Sequence, residues 1–454
     1  MSSRSDSMWK EMDLSGWGGA KRARVQAARP ESEADVATAF ASAGQDTIIT
    51  HGAGRSYGDQ ALNDGGRVIL SERLDRLISF TEAGDGSFAE LVCEPGVTFS
   101  TLLHTFLPRG YLFPVSPGTA YTTVGGAVAN DVHGKNHDNA GSFGNHVLWL
   151  DLMLPDGSVL RASRTEDPAL FAATIGGMGL TGFILRVCFR MVRVPSAYVQ
   201  AREQRIRDLG AFMDAFSAWR DRATFSVGWL DSLAQGDGLG RGILQTAEFA
   251  DATAGLDVQD GKGPNVPFQL PGIALNPLSI RLFNAAYLRR VPLDGRTRLR
   301  PVAPFFYPLD SIGHWNRMYG KRGFYQFQCV VPDEQAHEGI PQLVEEIVRS
   351  KAASFLNVLK TLGGEGEGYL SFPLRGYTLA MDIPNAPGAQ ELLQRLESIT
   401  LCHDGRVYLS KDATLSPESF REMYPRHEEF KTVLERVDPE RRLSSDMARR
   451  LQIR

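Results

Sequence analysis

The segment HGAGRSYGDQAL, residues 51–62, has the composition of a loop that binds an anion through its main chain. Gly52, Gly54 and Gly58 lack a Cβ atom, which lets the backbone approach a ligand closely. Consecutive N–H groups in such a turn form a concavity that suits a pyrophosphate, and Arg55 can add positive charge. A tight structural turn explains one loop of this kind equally well, because glycine motifs often occur without a ligand.

Two further glycine clusters favour ligand binding over turns. They are SPGTAYTTVGGAVANDVHGKNH at residues 116–137 and TIGGMGLTGFI at residues 174–184. Small side chains dominate both clusters, so a flat aromatic ligand can lie against the main chain. None of the clusters combines a GxGxxG helix start with an acidic residue about 20 positions later, so a Rossmann dinucleotide site is not indicated.

The segment HGKNHDNAGSFGNH, residues 133–146, offers side chains of the types that bind metals. His133, His137, Asp138 and His146 carry imidazole and carboxylate groups, which are zinc ligands. The intervening glycines fit no HExxH helix, so we predict no metal site. A metal-dependent hydrolase remains an alternative that a metal assay on the purified protein would decide.

Length, charge and cysteine usage narrow the class of protein. The chain has 454 residues, enough for two or three domains. Its formal charge of −4 provides no basic field, so no nucleic-acid partner is expected. The four cysteines form no CxxC pair, which fits a reducing compartment. The polar N-terminus predicts no signal peptide, and no apolar stretch is long enough to cross a bilayer, so we expect a cytoplasmic protein.

The elements that position these clusters alternate between strands and helices. DTIITHGAG predicts a strand entering the first loop, TFSTLLHTFLPRG a helix closed by Gly110, and HVLWLDLMLPDGSVLRASR a hairpin. Two later β-α-β units, GFYQFQCVVP through SFLNVLKTLG and GYTLAMDIP through RVYLSKD, predict one antiparallel sheet with helices on one face. Residues 250–278 predict a long, mobile loop, and the basic C-terminus from residue 437 predicts a helix.

Four motifs together resemble the FAD-dependent oxidoreductases of the vanillyl-alcohol oxidase type. They are HGAGRSYGD, the run from PGT through TVGGAVANDVHGKNH to GSFGNHV, GGMGLTGFI, and the ending SSDMARRL. Within that superfamily the chain is most similar to the decaprenylphosphoryl-β-D-ribose 2′-oxidase family, over nearly its whole length. The resemblance implies an α+β fold with a two-part FAD-binding domain of the PCMH type, residues 1–193 and 406–454. A substrate-binding domain, residues 194–405, is inserted between the two parts.

The resemblance also implies which residues bind FAD. The first loop wraps the pyrophosphate, and the other two line the adenosine, ribityl and isoalloxazine parts. Members with covalent flavin often have a histidine where this chain has Arg55, and His51 lies four residues too early, so we expect non-covalent FAD. The implied cofactor-binding residues are Gly52, Ala53, Gly54, Arg55, Ser56, Tyr57, Gly58, Asp59, Gly118, Thr123, Val124, Gly125, Gly126, Asn130, Asp131, Val132, His133, Ile184 and Tyr408.

Catalytic and substrate-binding groups are implied around the same cofactor. Oxidation of a secondary alcohol needs a hydride acceptor, which the flavin supplies, and a group that removes the hydroxyl proton. The resemblance implies Lys411 as that base or as electrostatic support, with His133 and Lys135 orienting the substrate. A lysine acts as a base only if burial or a neighbouring cation lowers its pKa. The implied substrate-binding residues are Tyr57, Lys135, Gln326, Gln328, Lys360, Thr378 and Lys411.

The implied activity is oxidation of the 2′-hydroxyl of a polyprenyl-phosphoryl ribose, a lipid-linked pentose phosphate, to the 2′-keto sugar. A separate NAD(P)H-dependent keto-reductase would complete epimerisation to an arabinose donor for cell-wall synthesis. The lipid implies peripheral contact with the inner membrane face, with residues 250–278 as gate or contact. Thr378 and Ala380 replace an asparagine and a cysteine of the mycobacterial enzymes, which leaves the substrate open. An oxygen-dependent alditol or sugar oxidase and a non-catalytic lipid- or sugar-binding module remain alternatives.

Overall fold

The computed structural model describes residues 8–261, 263–271, 275–352 and 354–454, which form three β-sheets and a set of α-helices. The strands are β1 Lys10–Ser15, β2 Arg22–Ala28, β3 Ile48–His51, β4 Arg67–Leu70, β5 Leu77–Glu82, β6 Phe88–Cys93, β7 Tyr111–Leu112, β8 Val147–Met153, β9 Val159–Ser163, β10 Phe183–Arg193, β11 Tyr198–Ile206, β12 Phe225–Leu230, β13 Gly242–Phe249, β14 Arg296–Pro301, β15 Phe324–Pro332, β16 Asn357–Leu362, β17 Gly376–Pro384 and β18 Arg406–Val407. The helices are α1 Glu33–Ser42, α2 Phe99–Phe106, α3 Val124–Ala129, α4 His137–Ala140, α5 Pro168–Thr174, α6 Leu209–Trp219, α7 Pro277–Arg289, α8 Val302–Phe306, α9 Asp333–Ser350, α10 Ala389–Cys402, α11 Pro417–Met423, α12 His427–Val437 and α13 Asp446–Arg450.

Two smaller sheets carry the glycine clusters. Strands β1 to β4 pair in the order β1-β2-β4-β3, with parallel pairing around β4. Strands β5 to β10 form an antiparallel sheet in the order β5-β6-β10-β8-β9, with β7 also beside β10. The predicted hairpin is the β8–β9 pair. The predicted closure is confirmed because Gly110, with φ 78°, ends the short 3-10 helix Leu107–Arg109 that continues from α2. The α+β class is therefore confirmed.

The third sheet is antiparallel and contains β11 to β18 in the order β14-β11-β13-β12-β16-β17-β15-β18. Side chains alternate between the two faces of a strand, so each strand serves two environments. On β15, Phe327 and Cys329 are buried in the main core, to which α9 and α10 also contribute, whereas Gln326 and Gln328 line a cavity. The predicted antiparallel sheet is thus present, with one face turned to a cavity.

The strand predicted over RVYLSKD is too long. Strand β18 ends at Val407, and the chain then turns, with the main-chain N–H of Lys411 donating to the carbonyl of Tyr408 at 2.9 Å. The Asp412 carboxylate accepts hydrogen bonds from the main-chain N–H groups of Thr414 and Leu415, which stabilises this turn. Lys411 therefore lies in a turn and not in a strand. The predicted C-terminal helix is likewise short, because α13 covers only Asp446–Arg450.

The predicted loop at 250–278 lies partly outside the described residues, which omit 262 and 272–274. Its described part is irregular apart from a short helical turn at Ala252–Ala254, and α7 begins at Pro277. The main-chain N–H of Val266 donates to the carbonyl of Gly313 at 2.8 Å, so this stretch packs on the chain that precedes β15. Residues 1–7, on which the signal-peptide prediction partly rests, also lie outside the described residues. Across the described ranges, no helix is both long and apolar enough to span a membrane.

Candidate active site

A cavity of about 700 Å³ lies where the glycine loops face the third sheet. The loops contribute main chain, small side chains and the amine of Lys135, and the sheet with the turn after β18 contributes two amides and two more amines. The domain boundaries at residues 193 and 405 stay a prediction. Residues of both predicted domains line this cavity. The predicted site residues that line it are Gly52, Ala53, Gly54, Arg55, Ser56, Tyr57, Gly58, Gly118, Thr123, Gly125, Gly126, Asn130, Val132, His133, Lys135, Ile184, Gln326, Gln328, Lys360, Tyr408 and Lys411.

Three predicted cofactor residues lie behind the cavity wall. Asp59 forms an ion pair with Arg450, with Oδ1 and Nη2 2.7 Å apart. Val124 is fully buried in the apolar core. The carboxylate of Asp131 accepts a hydrogen bond from the main-chain N–H of Gly144 at 2.9 Å. These side chains hold the loops in place from the protein side, so their contribution to ligand binding is through the fold.

The first glycine loop presents a row of unpaired donors. In the described part of the chain, the main-chain N–H groups of residues 53–56 donate to no protein acceptor. Gly54 has φ +63°, a left-handed conformation that a residue with a Cβ rarely adopts. Successive N–H groups pointing into one concavity bind anions such as a pyrophosphate. The loop predicted from its glycines therefore has the free donors that such a ligand needs.

Not every glycine of this loop serves a ligand. A Cβ at Gly58 would lie 1.6 Å from the main-chain carbonyl of Asp412, and one at Gly52 would lie 2.7 Å from Oγ1 of Thr123. These glycines allow the loops to pack on one another. At Gly118, by contrast, an added Cβ would meet no atom of the chain within 4 Å. Part of the glycine pattern thus reflects contact between chain segments.

Several buried polar atoms on the cavity wall have no partner within the described residues. They include Oγ1 of Thr50, Oε1 of Gln60, Oδ1 of Asn130, Nδ1 of His133 and the Nε atoms of Arg55 and Arg290. Leaving a buried donor or acceptor unpaired costs about 1–3 kcal/mol each, so such atoms are normally satisfied by a ligand or water. Amide oxygens, a hydroxyl, a ring nitrogen and guanidinium donors around free main-chain N–H groups suit a ligand with both phosphate and heteroaromatic parts. The wall therefore fits FAD.

His133 has a defined tautomer because of its partner. The amide nitrogen of Gln328 lies 2.9 Å from Nε2 of His133 and also donates to Oγ1 of Thr378 at 3.2 Å. An amide N–H can only donate, so Nε2 accepts and the ring proton sits on Nδ1, which has no protein partner. Burial, with Lys360 nearby, holds the pKa of His133 well below its usual range, so the ring is neutral. Thr378 thus acts behind Gln328 and does not line the cavity.

Three lysines on this wall have lowered pKa values. Removal from water lowers the pKa of Lys411 to about 7 and that of Lys135 to about 7. The pKa of Lys360 falls to about 8 for the same reason, and its charge also opposes protonation of the other two. Lys135 is held over the ring of Phe305, 4.5 Å from the centroid, and donates to the Phe305 carbonyl. The cluster can therefore attract an anion and supply a neutral amine near pH 7.

Asp382, which the sequence prediction did not include, is a buried carboxylate whose charge acts on Lys411. Asp382 accepts hydrogen bonds from Nε2 of Gln326 at 2.6 Å and from the hydroxyl of Tyr319 at 3.0 Å. Burial raises the pKa of Asp382 to about 7, and its negative charge raises the pKa of Lys411 against the desolvation that lowers it. Nζ of Lys411 lies 3.9 Å from the centroid of the Tyr57 ring. The alternation of β17, on which Asp382 is two residues from Ala380, could have identified it.

The sequence prediction gave Arg450 no role, although the motif SSDMARRL contains it. Its guanidinium binds Asp59 of the first loop and Oδ2 of Asp412 at 2.8 Å, so it joins the loop to the turn that carries Lys411. Arg55 lies between two aromatic rings, with its guanidinium carbon 4.3 Å from the Trp17 ring centroid. Such long-range partners are not readable from local spacing.

The metal alternative finds no geometric support. Within the described ranges, no group of three or more His, Cys, Asp or Glu side chains could hold a metal ion. His137 accepts from a main-chain N–H at 3.0 Å, and Nε2 of His146 lies 2.8 Å from the Ala140 carbonyl. Asp138 pairs with Arg220 at 3.1 Å. The four candidate ligands are thus engaged separately.

Comparison with known proteins agrees with this chemistry. Residues 26–163 match the FAD binding domain family, and residues 378–451 match the D-arabinono-1,4-lactone oxidase family. The chain is 36% identical to the decaprenylphosphoryl-β-D-ribose oxidase of Mycolicibacterium smegmatis over 93% of either chain. It is 32% identical to an uncharacterised protein of Streptomyces coelicolor, over 78% of this chain and 100% of that one. Cytokinin dehydrogenase 3 of Oryza sativa is 27% identical over 42% of this chain and 36% of its own.

Proposed function

Because the chain belongs to the family of FAD-dependent oxidoreductases that includes decaprenylphosphoryl-β-D-ribose oxidase, we propose that it oxidises the 2′-hydroxyl of a polyprenyl-phosphoryl-β-D-ribose to the 2′-keto sugar. The cofactor is FAD. The observation that carries the substrate proposal is the cluster of three lysines that line the cavity. Lys135, Lys360 and Lys411 face one cavity together with two amides, an arrangement that suits a phosphorylated sugar.

The first loop would hold the pyrophosphate of FAD through the free N–H groups of residues 53–56. Asn130 and His133 would satisfy polar atoms of the cofactor or of the substrate beside it. When bound, FAD supplies the acceptor for the hydride that leaves the 2′-carbon. We also propose that FAD is held without a covalent bond, because Arg55 occupies the loop position at which members with covalent flavin often have a histidine.

Lys411 is the proposed base. With a pKa of about 7 a large fraction of Lys411 is neutral near pH 7, so Nζ can take the proton of the 2′-hydroxyl as the carbon loses its hydride. Nδ1–H of His133 can donate to an oxygen of the sugar, because Gln328 fixes the ring proton on that atom. Lys135 and Lys360 would pair with the phosphate, whose negative charge raises the pKa of both amines on binding.

The experiment is anaerobic mixing of the purified flavoprotein with candidate substrates. A prenyl-phosphoryl-β-D-ribose should bleach the visible absorbance of the flavin in one turnover, and its 2′-deoxy analogue should not. Free ribose and free arabinose should leave the absorbance unchanged, because they lack the phosphate that the lysines bind. Bleaching by free pentoses but not by the phospholipid sugar would contradict the proposal.

A second candidate is a sugar oxidase that passes electrons to oxygen, favoured by the match of residues 378–451 to D-arabinono-1,4-lactone oxidase. That candidate predicts stoichiometric hydrogen peroxide from a free sugar or its lactone. Under the favoured proposal, the 2′-keto product is instead reduced by a separate NAD(P)H-dependent reductase, which gives the arabinose donor. In a single anaerobic turnover, in which the flavin keeps the two electrons of the ribose lipid, adding such a reductase and NADH should convert one equivalent of ribose lipid per flavin to the arabinose lipid.

A further inference from the structure

Large apolar side chains are unusually exposed on α7 and in the turn that follows it. Leu278 and Leu282 are 68% and 65% exposed, Phe283 is 42% exposed, and Leu293 is 85% exposed. Single exposed apolar residues are ordinary, whereas a contiguous group of large ones marks a surface that binds something. We call the set Leu278, Arg281, Leu282, Phe283, Arg289 and Leu293 the α7 surface.

The helix is anchored, so its exposed side is a stable feature. Ile280 and Asn284 are buried on the opposite side, and Nδ2 of Asn284 donates to Oδ1 of Asp231 at 2.6 Å. Residues spaced by three or four positions share one side of a helix, so Leu278, Arg281 and Leu282 point the same way. A rigid helix with an apolar and cationic outer side is the form in which peripheral proteins lie on a bilayer.

The charge of this stretch is strongly positive in a chain whose net charge is −4. Residues 277–300 contain six arginines and one aspartate. Three of those arginines, at positions 290, 296 and 298, neutralise buried Glu203. Arg281 and Arg289 form no ion pair with any described residue, so their charges are available to a partner. The complementary partner is therefore anionic as well as apolar.

The inner side of the same helix belongs to the cavity. Tyr287 and Arg290 line it, and the Tyr287 ring packs on that of Trp229 with centroids 4.7 Å apart. Trp229 and its sheet neighbours Ile243 and Val358 make this part of the wall apolar. One helix therefore separates an apolar end of the cavity from an apolar, cationic outer surface.

We propose that the α7 surface docks on a bilayer containing anionic phospholipids and places the apolar end of the cavity at the lipid surface. The reason for docking rests on the proposed function, since a polyprenyl chain must leave the bilayer to bring its sugar phosphate to the lysines. The leucines enter the region between headgroups and acyl chains, and Arg281 and Arg289 pair with lipid phosphates.

The test is sedimentation of the FAD-loaded protein with sucrose-filled vesicles of phosphatidylglycerol and phosphatidylcholine, and of phosphatidylcholine alone. The protein should bind the anionic vesicles, and raised salt should weaken binding. Arg281→Gln with Arg289→Gln should lower the partition coefficient about 25-fold, about fivefold for each charge. Leu278→Gln with Leu282→Gln should lower it at least about tenfold, since two apolar side chains no longer enter the bilayer.

Controls change exposed apolar and arginine side chains elsewhere. Leu77→Gln with Ile78→Gln on β5, and Arg109→Gln with Arg207→Gln, should bind as the unmodified protein does. Equal binding by the α7 variants, equal binding to neutral vesicles, or no binding to anionic vesicles would overturn the proposal. So would a change of oligomeric state in the α7 variants, measured by light scattering without lipid.

Failure of docking and failure of the proposed function are separable. A water-soluble short-chain prenyl-phosphoryl ribose needs no bilayer, so it should bleach the flavin of the α7 variants at the unmodified rate. If it bleaches no flavin in the unmodified protein, the substrate proposal fails while the vesicle result stands. If bleaching is normal and vesicle binding is absent, only the docking proposal fails.

Discussion

The two walls of the cavity bind through different parts of the chain. The loop wall offers main-chain N–H groups, with residues 53–56 unpaired and Gly54 in a left-handed conformation. The sheet wall offers side chains, with Gln326 and Gln328 alternating with core residues along β15. A main-chain site needs only a local absence of Cβ atoms, whereas a side-chain site needs distant strands in one register. A main-chain site can therefore be recognised from a sequence motif, whereas a side-chain site depends on how the strands pair.

The two walls also differ in which of their groups can gain or lose a proton. Burial lowers the pKa of Lys360 and Lys411 on the sheet wall, and that of Lys135 at the end of the second glycine cluster, toward neutrality. Burial also raises the pKa of the Asp382 carboxyl group to about 7. The donors of the first glycine loop are main-chain amides, which do not titrate. Proton transfer is therefore expected from the sheet wall, and cofactor binding is expected to depend on the loop wall.

The sharpest test of this division is Lys411→Met. Flavin bleaching by the prenyl-phosphoryl ribose should slow by about 10²–10⁴-fold, the usual contribution of a positioned base. FAD content should be unchanged, because the loop wall is intact. Stopped-flow absorbance and the flavin-to-protein ratio measure the two effects. Lys321→Met, at an exposed lysine, is the control and should have neither effect. Loss of FAD together with activity would contradict the assignment of cofactor binding to the loop wall and proton transfer to the sheet wall.

Two glycines distinguish packing between loops from room for a ligand. Gly58→Ala places a methyl group against the Asp412 carbonyl and should lower the free energy of unfolding by about 3 kcal/mol, at the upper end for overpacking. Gly118→Ala meets no protein atom, so the apoprotein should melt normally while FAD affinity falls about tenfold, because the methyl group occupies cavity space. Denaturant titration of the apoprotein measures the change in stability, and FAD titration measures the change in affinity. Normal FAD affinity in Gly118→Ala would contradict a ligand at that glycine.

The pH dependence of flavin bleaching should follow the lysine base. Lys411 must be neutral to accept a proton, so the rate should rise about tenfold per pH unit below its pKa of about 7 and level off above it. Asp382→Asn removes a negative charge that favours protonated Lys411, so the midpoint should move to lower pH. A midpoint that moves to higher pH, or a rate that falls as pH rises toward 8, would show that Lys411 acts as a charge and not as a base.

The smallest expected effect concerns the residue behind the sheet wall. Thr378→Val removes an acceptor from the Gln328 amide, which keeps His133 as its other partner. A lost hydrogen bond of this kind costs about 1 kcal/mol, so KM should rise a few-fold while the maximal bleaching rate holds. Thr378→Ser, which keeps the hydroxyl, is the matched control. An equal effect of both changes would assign the role of Thr378 to its methyl group.

Local pattern was sufficient for the loops and for strand alternation. The segment HGAGRSYGD predicted a loop with exposed main chain. Gln326 and Gln328, two positions apart in the predicted strand GFYQFQCVVP, both line the cavity, as strand alternation requires. The turn at Lys411 was predicted as a strand, because the apolar run VYL looks extended until a hydrogen bond between Lys411 and Tyr408 reverses the chain. Asp382 and Arg450 were not identified, since their partners are far away in sequence.

By itself the sequence determined that three segments leave the main chain bare and that the strands between them alternate, because both properties belong to neighbouring residues. Tertiary structure alone decided which side chains share the cavity. The lysines at positions 135, 360 and 411 come from separate elements, and their pKa values depend on the burial and mutual repulsion that folding creates. The tautomer of His133 likewise follows from Gln328, a residue 195 positions away.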